Sequence, residues 1–270
     1  MKILLNNNDL NEALNKVSNL GFVPTMGSLH KGHISLIKKS QKESNKTIVS
    51  IFVNPTQFNN KNDYKNYPRN FKKDHSILRR MKIDFLYLPN VKDIYTFKRK
   101  SKIKLYKKDR ILCAKYRKGH FEGVIDVMDR LINIIKPKNI YMGEKDFQQL
   151  YLVKKFIQNK YVSKIILCKT IRDKNKLALS SRNLLLNKNQ LKRAGKLSQK
   201  IISLKKKLSN IKNIQKYLMN KKKEFNKLFN INIEYLELRK NINLNKTNKI
   251  KNAKIFIAYY IGKVRLIDNF

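Results

Sequence analysis

Residues 22–37 read FVPTMGSLHKGHISLI and join an apolar strand pattern to an amphipathic helix pattern through a turn that holds two glycines and two histidines. We expect a strand that ends near Val23 and a helix that begins near Gly32. Gly27 and Gly32 let backbone N–H groups approach a ligand closely, and a helix N-terminus favours anions. The stretch therefore predicts a strand–turn–helix unit with an anion-binding turn.

Short apolar runs and amphipathic segments alternate from the start of the chain to about residue 172. The runs are rich in Ile, Val, Phe and Tyr, are bounded by Pro, Gly or Asn, and are followed by segments with helical periodicity. This alternation indicates βα units around a parallel sheet, in which ligands bind beyond the carboxyl ends of the strands. The strand-like runs are GFVPT, TIVSIFVN, DFLYLP, NIYMG and SKIILCKT.

The composition changes after Arg172. All five prolines and six of the eight glycines precede it, whereas a mixture of Lys, Asn and Leu follows it. Two long basic helical patterns then precede the strand-like NIEYLELRK and the hairpin-like AKIFIAYYIGKVRLIDN. We therefore expect two domains, residues 1–172 and residues 173–270, of which the second is a smaller α+β domain.

The charge of the chain raises a second class of function. Lys and Arg number 62 against 18 Asp and Glu, which gives a formal net charge of +44 and suits a nucleic-acid-binding protein. The lysines are spread along the whole chain rather than gathered in one arm or patch, so we expect no specific nucleic-acid partner. Nucleic-acid binding stays an alternative, favoured only if the cations form one continuous face and binding falls steeply with salt.

The cysteines and the apolar runs indicate the compartment. Cys113 and Cys168 lie far apart without the spacing of metal ligands, and we expect both to be small buried residues of a cytosolic protein. The first residues, MKILLNNNDL, contain too short an apolar run for a signal peptide, and no apolar stretch is long enough to cross a bilayer. We therefore expect a soluble, cytoplasmic protein with no membrane partner.

His30 and His33 are the first candidate functional residues. At positions i and i+3 they fall on one side of the first helical turn, where two imidazoles can converge on a phosphate. A lone histidine is more often a helix cap or a core residue, but two histidines that flank a glycine after a strand end fit that explanation less well. The H-x-G-H pattern is typical of nucleotidylyltransferases and class I synthetases, which share adenylate chemistry.

Three further turns carry polar side chains at predicted strand ends. In SIFVNPTQF, Pro55 ends the strand and leaves uncharged groups that suit a hydroxylated or carboxylated substrate, although Asn-Pro-Thr is also an ordinary turn. In NIYMGEKDFQQL, Lys145 can reach a polyphosphate and Gln149 lies one helical turn further on, although the acids here also suit a helix cap. In LSSRN, two hydroxyls and Arg182 can donate to phosphate oxygens, although alone they indicate only a helix start.

These motifs together resemble the pantoate:β-alanine ligase family. FVPTMGSLHKGHISLI, SIFVNPTQF, NYPR, GHFEGV, MGEKDFQQL, TIRD, LSSRN and VRLIDN occur in the family's order and span nearly the whole chain. The resemblance implies a Rossmann-like sheet domain that binds ATP and pantoate, a smaller C-terminal lid domain, and a homodimer. It also implies the reaction, in which ATP and (R)-pantoate give pantoyl adenylate and pyrophosphate, and β-alanine then releases pantothenate and AMP.

The resemblance also implies residue roles. His33 is the family's catalytic proton donor, and the other predicted catalytic residues are His30 and Lys145. Pantoate is expected to bind Gln57 and Gln149, and β-alanine to bind next to Gln57. The backbone of Ile171 is expected to meet the adenine. The full set of predicted ATP-binding residues is Met26, Gly27, Ser28, Leu29, His30, Lys31, Gly32, His33, Gly143, Glu144, Lys145, Asp146, Ile171, Leu179, Ser180, Ser181 and Arg182.

The chain departs from the family pattern at three places. Lys31 stands where the family often has an acid, and Leu179 where it usually has Met. Lys73 precedes Asp74 where the family tends to carry adjacent acids, so protein ligands for Mg²⁺ stay unknown and we expect ATP phosphates and water to hold the ion. The alternative enzyme is a nucleotidylyltransferase that acts on a phosphorylated acceptor. The uncharged amides of NPTQF and FQQ favour an unphosphorylated acceptor.

Overall fold

The structure is a computed structural model that describes residues 1–96 and 103–270. The chain forms two compact units. The first unit consists of Met1–Glu144 and Gln149–Lys169, and the second of Lys145–Gln148 and Thr170–Phe270. The functional division into a binding domain (1–172) and a lid domain (173–270) stays a prediction.

The first unit contains a parallel sheet. Its strands, within the described residues, are β1 (Lys2–Leu4), β2 (Leu20–Thr25), β3 (Lys46–Ile51), β4 (Phe85–Tyr87), β5 (Asn139–Gly143) and β6 (Lys164–Cys168). Their order is β1-β4-β3-β2-β5-β6, and each neighbouring pair is parallel. The predicted Rossmann-like parallel sheet is therefore confirmed.

Eight helices begin in the described part of the chain before β6. They are α1 (Asn7–Leu14), α2 (Lys31–Glu43), α3 (Lys61–Lys65), α4 (Phe71–Arg80), α5 (Val91–Ile94), α6 (Cys113–Tyr116), α7 (His120–Ile135) and α8 (Phe147–Ile157), whose first two residues belong to the second unit. Val23 and Val49 of the central strands form a core cluster with Ile37 of α2 and Leu78 of α4, and all four side chains are fully buried. Burial of each such side chain stabilises the fold by about 1.5–3 kcal/mol.

The strand order places a topological switch point beside β2. The chain runs from β2 to β3 and β4 on one side of the sheet and resumes at β5 on the other side of β2. In open α/β sheets, ligands bind outside the carboxyl ends of the strands at such a point. The segments that follow Thr25 and Gly143 are therefore the natural place for a binding site.

The second unit is a three-stranded antiparallel sheet with two long helices, within the residues that the structure describes. It contains α9 (Lys188–Lys207), α10 (Ile214–Phe229), β7 (Asn232–Lys240), β8 (Ala253–Ile261) and β9 (Val264–Asn269), with strand order β7-β8-β9. Alternate residues of β8, such as Ile255 and Ile257, are buried in one cluster with Ile201 of α9 and Leu218 of α10. The predicted smaller α+β domain is confirmed.

Some boundaries differ from the prediction. The strand expected to run to Pro55 ends at Ile51, because the chain turns into a 3₁₀ helix at Pro55–Gln57 that the Asn54 side chain caps. Cys113 and Cys168 are both buried, as predicted. In the described part of the chain, we find no helix with the length and apolar character needed to cross a membrane.

Candidate active site

The turn between β2 and α2 has a tightly defined backbone. Gly27 has φ +78° and Ser28 has φ +52°, so two consecutive residues adopt the left-handed conformation. A Cβ atom at Gly27 would also come within 3.1 Å of Asp74 Oδ2 and of Ile51 Cγ2. Both conformation and space therefore favour glycine at this position. The Thr25 hydroxyl supports the turn, since it accepts from the N–H of Gly27 at 3.1 Å and donates to the carbonyl of Ser50 at 2.7 Å.

Asp74 of α4 holds this turn in place. The side chain is only 1% exposed, and its two oxygens accept from the N–H groups of Ser28 and Leu29, each at 2.7 Å. Each carboxylate oxygen thus accepts one backbone hydrogen bond. The neighbouring Lys73 is exposed. In the sequence, Asp74 stands only where the family pattern has adjacent acids, and this role was not predicted. Its one sequence signal is an acid on the same helix face as Leu78.

The two histidines form the cap of α2. His30 is the N-cap residue, and its Nδ1 accepts from the N–H of Gly32 at 3.1 Å. Nδ1 of His33 accepts from the N–H of His30 at 3.3 Å, which completes a capping box. The ring centroids lie 4.1 Å apart. A neutral imidazole that accepts at Nδ1 carries its hydrogen on Nε2, so both rings have an N–H donor at Nε2.

This geometry modifies the prediction for the histidines. The expectation that both lie within the first helical turn is wrong for His30, which precedes the helix as its cap because its extended backbone (φ −136°) cannot continue the helix. The rings still lie together, as predicted. The cap explanation and the functional one are therefore compatible, since capping uses one nitrogen of each ring.

Gln57 lies against the same turn. Its side chain is 8% exposed, its Nε2 contacts the sulfur of Met26 at 2.8 Å, and its Oε1 accepts from Nδ2 of Asn54 at 3.2 Å. A thioether is a weak hydrogen-bond acceptor. The amide N–H of Gln57 therefore has a weak partner in this structure, and a carboxylate or hydroxyl oxygen would be a better one.

The segment after β5 is divided between the units. Gly143 ends β5 and Glu144 begins the 3₁₀ helix Glu144–Asp146, and both residues belong to the first unit. Gln149 is a half-buried residue of α8 in the same unit. Lys145 and Asp146 belong to the second unit, where the Lys145 ammonium lies 3.3 Å from Oδ1 of Asp146. Glu144 and Lys145, adjacent in sequence, thus fall in different units.

The other predicted ATP-binding residues lie together in the second unit. The N–H of Leu179 donates to the carbonyl of Ile171 at 2.9 Å, which joins the TIRD and LSSRN motifs. Ser180 caps the 3₁₀ helix Ser181–Leu185, and its hydroxyl accepts from the N–H of Arg182 at 3.2 Å. Short-range hydrogen bonds thus fix the backbone on both sides of Leu179.

A buried ion pair anchors these motifs to β9. Arg172 binds Asp268 through both guanidinium NH2 groups, at 2.7 and 2.9 Å, and also donates to the carbonyl of Asn269 at 2.9 Å. The paired geometry fixes the orientation of the guanidinium. The TIRD and VRLIDN motifs are therefore parts of one structural unit.

The described residues do not form a metal site by themselves. Among residues 1–96 and 103–270, no three His, Cys, Asp or Glu side chains are grouped so that they could hold a metal ion. Both oxygens of Asp74 already accept from backbone N–H groups. Asp74 is only 1% exposed, so its carboxylate serves the backbone of the turn rather than an open metal site.

Comparisons with known proteins agree with the geometry. The family model for pantoate-beta-alanine ligase matches residues 2–270. A pantothenate synthetase of Francisella tularensis subsp. tularensis (strain WY96-3418) is 41% identical over 268 residues, which cover 97% of this chain and 92% of the relative.

Solved structures give the same result. The crystal structure of pantoate-beta-alanine ligase from Francisella tularensis, complexed with beta-gamma ATP and beta-alanine, has a TM-score of 0.84 and 40% identity, and the match covers 100% of this chain and 97% of that one. Pantothenate synthetase from Thermus thermophilus has a TM-score of 0.91 at 28% identity, covering 100% and 99%. The chain therefore belongs to the pantoate–β-alanine ligase family, the pantothenate synthetases.

Proposed function

We propose that the chain carries out the family's ATP-dependent ligation in two steps at the switch point of the parallel sheet. In the first step, a carboxylate oxygen of (R)-pantoate attacks the α-phosphorus of ATP, and pyrophosphate leaves. In the second, the amine of β-alanine attacks the acyl carbon, an amide forms, AMP leaves and the amine loses a proton. The observation that carries the proposal is the buried Gln57 amide, whose N–H rests on Met26 of the anion-binding turn.

The turn after β2 is the proposed nucleotide subsite. Negative charge grows on the phosphoryl oxygens and on the leaving pyrophosphate during adenylation. The N-terminus of α2 favours that charge, and the Nε2–H groups of His30 and His33 are neutral donors that can stabilise it. Asp74 keeps the turn in one conformation before the nucleotide arrives, which lowers the entropic cost of binding.

The cap defines the role that we propose for His33. Full proton transfer to a phosphate needs a protonated imidazole, which carries hydrogens on both ring nitrogens. A hydrogen on Nδ1 would face the N–H of His30 and break the cap. We therefore propose that His33 acts as a hydrogen-bond donor in the transition state, in place of the proton donor that the resemblance implies.

The acid subsite is proposed at Gln57. When pantoate binds, the amide N–H of Gln57 donates to an oxygen of pantoate in place of the Met26 sulfur. Asn54 orients this amide by donating to Oε1 of Gln57. Gln149 is proposed as a second amide that binds pantoate. β-Alanine is proposed to bind next to Gln57 after pyrophosphate has left.

The remaining proposed contacts concern the phosphates and the adenine. Lys145 is proposed to bind the phosphates and to act in catalysis, with Ser180, Ser181 and Arg182 as further donors and the backbone of Ile171 at the adenine. Residues 173–270 are proposed to form the lid. Because the described residues include no group of three metal ligands, Mg²⁺ is proposed to arrive with ATP, bound by phosphate oxygens and water.

A homodimer is proposed from the resemblance, and a cytoplasmic location from the two buried cysteines. Sedimentation equilibrium at several protein concentrations tests the homodimer, since a mass of one chain throughout would contradict it.

The experiment that tests the proposed function is ATP:pyrophosphate exchange with and without (R)-pantoate, in the absence of β-alanine. We expect exchange that requires pantoate and no amine, because adenylation precedes amide formation. Exchange that appears only with a phosphorylated acceptor would instead support the nucleotidylyltransferase alternative. Exchange that needs β-alanine would contradict the order of the two steps.

A further inference from the structure

The N-terminus of α7 lies directly against the backbone that carries Gln57. Arg117 NH1 lies 2.8 Å from Nε2 of His120, and a guanidinium can only donate, so Nε2 is the acceptor. The hydrogen of a neutral His120 is therefore on Nδ1, which lies 2.7 Å from the carbonyl oxygen of Gln57. His120 is only 8% exposed. This buried imidazole thus links Arg117 to the main chain of Gln57 by two hydrogen bonds with fixed directions.

Gly123 makes the second contact, one helical turn further along α7. A Cβ atom at this position would overlap the carbonyl group of Thr56 and lie 2.9 Å from Cα of Gln57. The absence of a side chain therefore sets how closely α7 approaches the 3₁₀ helix Pro55–Gln57. An added methyl group must push this backbone away, because backbone atoms cannot rotate aside as the end of a side chain can.

A third contact ties the same helix to the side chain of Gln57. The carbonyl of Gly123 accepts from Nδ2 of Asn54 at 3.2 Å, and this Nδ2 also donates to Oε1 of Gln57 at 3.2 Å. Asn54 is only 1% exposed. Helix α7 therefore fixes the carbonyl of Gln57, the path of its backbone and the orientation of its amide.

We propose that His120 and Gly123 are positioning residues that set the affinity for pantoate by holding Gln57 against Met26. The inference rests on the proposed function of Gln57. Neither residue needs to contact the substrate. A shift of a few tenths of an ångström in the 3₁₀ helix moves the amide N–H away from the place where it meets an oxygen of the acid.

The first test is steady-state kinetics on Gly123→Ala and His120→Leu. We expect kcat/KM for pantoate to fall about tenfold or more, while KM for ATP changes by less than about twofold. Val127→Ala is the matched control, because Val127 is a buried residue one turn further along α7. It should lower the melting temperature and leave kcat/KM for pantoate unchanged. Equal losses for ATP and pantoate in the two test variants would overturn the proposal.

A conservative variant separates positioning from packing. In His120→Asn, the side-chain NH2 takes the place of Nδ1 and can still donate to the carbonyl of Gln57, although the acceptor for Arg117 is lost. We expect it to keep more than half of the wild-type kcat/KM for pantoate, about fivefold or more above His120→Leu. If both His120 variants fall equally, the hydrogen bond to Gln57 does not set the affinity and the proposal is wrong. This comparison stands even if Gly123→Ala fails to fold.

A double-mutant cycle with Gln57→Ala completes the test. If His120 acts through Gln57, adding His120→Leu to Gln57→Ala causes no further loss in kcat/KM for pantoate. Additive losses would overturn the inference. If Gln57→Ala alone leaves pantoate kinetics unchanged, the proposed role of Gln57 fails, and the inference fails with it. Wild-type exchange that does not depend on pantoate would instead refute the proposed function itself.

Discussion

Replacement of Asp74 by Asn tests whether the turn after β2 is built in advance of ligand binding. The carboxylate accepts from the N–H groups of Ser28 and Leu29, each at 2.7 Å. In the amide, one oxygen becomes an NH2 group that faces a backbone donor, so one hydrogen bond is lost and the other loses its charge. A hydrogen bond to a charged group contributes about 1.5–3 kcal/mol. We expect the free energy of unfolding to fall by about 2–4 kcal/mol.

Asp74→Asn should also alter ATP binding and the rate of adenylation. Without the carboxylate, the turn that carries the proposed phosphate donors has more than one conformation, so KM for ATP should rise and the rate of adenylation should fall. Urea denaturation followed by circular dichroism measures the stability, and single-turnover kinetics measures the rate.

A surface acid provides the control for this prediction. Glu12→Gln changes a side chain that is 79% exposed and 3.5 Å from Lys2, so stability should change by less than about 0.5 kcal/mol. If Asp74→Asn is as stable as the wild type and changes only the Mg²⁺ concentration needed for activity, Asp74 is a metal ligand and the reasoning is refuted.

The other predictions concern the histidines, Gln57 and the cysteines. Alanine at His33 or His30 should lower the rate of adenylate formation about 10²–10³-fold. Because both rings cap α2, either alanine substitution should also lower the free energy of unfolding by about 1 kcal/mol, as urea denaturation can show. His33→Gln should recover part of the adenylation rate in single-turnover assays. Equal rates for the Gln and Ala variants would contradict the donor role. Gln57→Ala should weaken pantoate binding and leave ATP binding nearly intact, which isothermal titration calorimetry can measure; equal losses would place Gln57 in another subsite. Burial raises the pKa of the Cys168 thiol to about 11, so iodoacetamide at pH 8 should label Cys168 and the buried Cys113 far more slowly in the folded protein than in urea, as mass spectrometry can show.

The sequence predicts the parallel sheet because local signals mark its inner strands. Apolar runs such as residues 20–25 and 139–143 are marked by nearby Pro and Gly residues, and each run precedes a helical pattern. The first strand and helix were not predicted. Strand β1 has three residues, and helix α1 is mostly polar with only Leu10 buried, so neither gives a periodic signal. The place of β1 in the sheet depends on its pairing with β4, which is more than 80 residues away in sequence.

The candidate site divides in the same way. The sequence identifies the histidines and Gln57 because each follows a strand end in a short motif. The roles of Asp74 and His120 could not be predicted from local sequence. The hydrogen-bond partners of Asp74 are 45 and 46 residues away in sequence, and the partner of His120 is 63 residues away. A buried acid in a lysine-rich helix and a histidine at a helix start have no local pattern that names their partners. Only the fold brings them to the backbone that they hold.

We propose that selectivity for pantoate comes from neutral donors, although the chain carries 62 Lys and Arg residues. Charge of this size attracts every anion over a long range and is screened by salt, so it cannot distinguish pantoate from other acids. An amide or a neutral imidazole donates in a fixed direction. In this structure a second hydrogen bond, made by another atom of the same residue, also fixes the position of each group. Nδ1 of His33 is bound to the backbone of His30, and the carbonyl of Gln57 is bound to His120. Groups held in this way lose little further freedom when a ligand binds, so a displacement of the backbone behind them should affect catalysis as strongly as the loss of a charge.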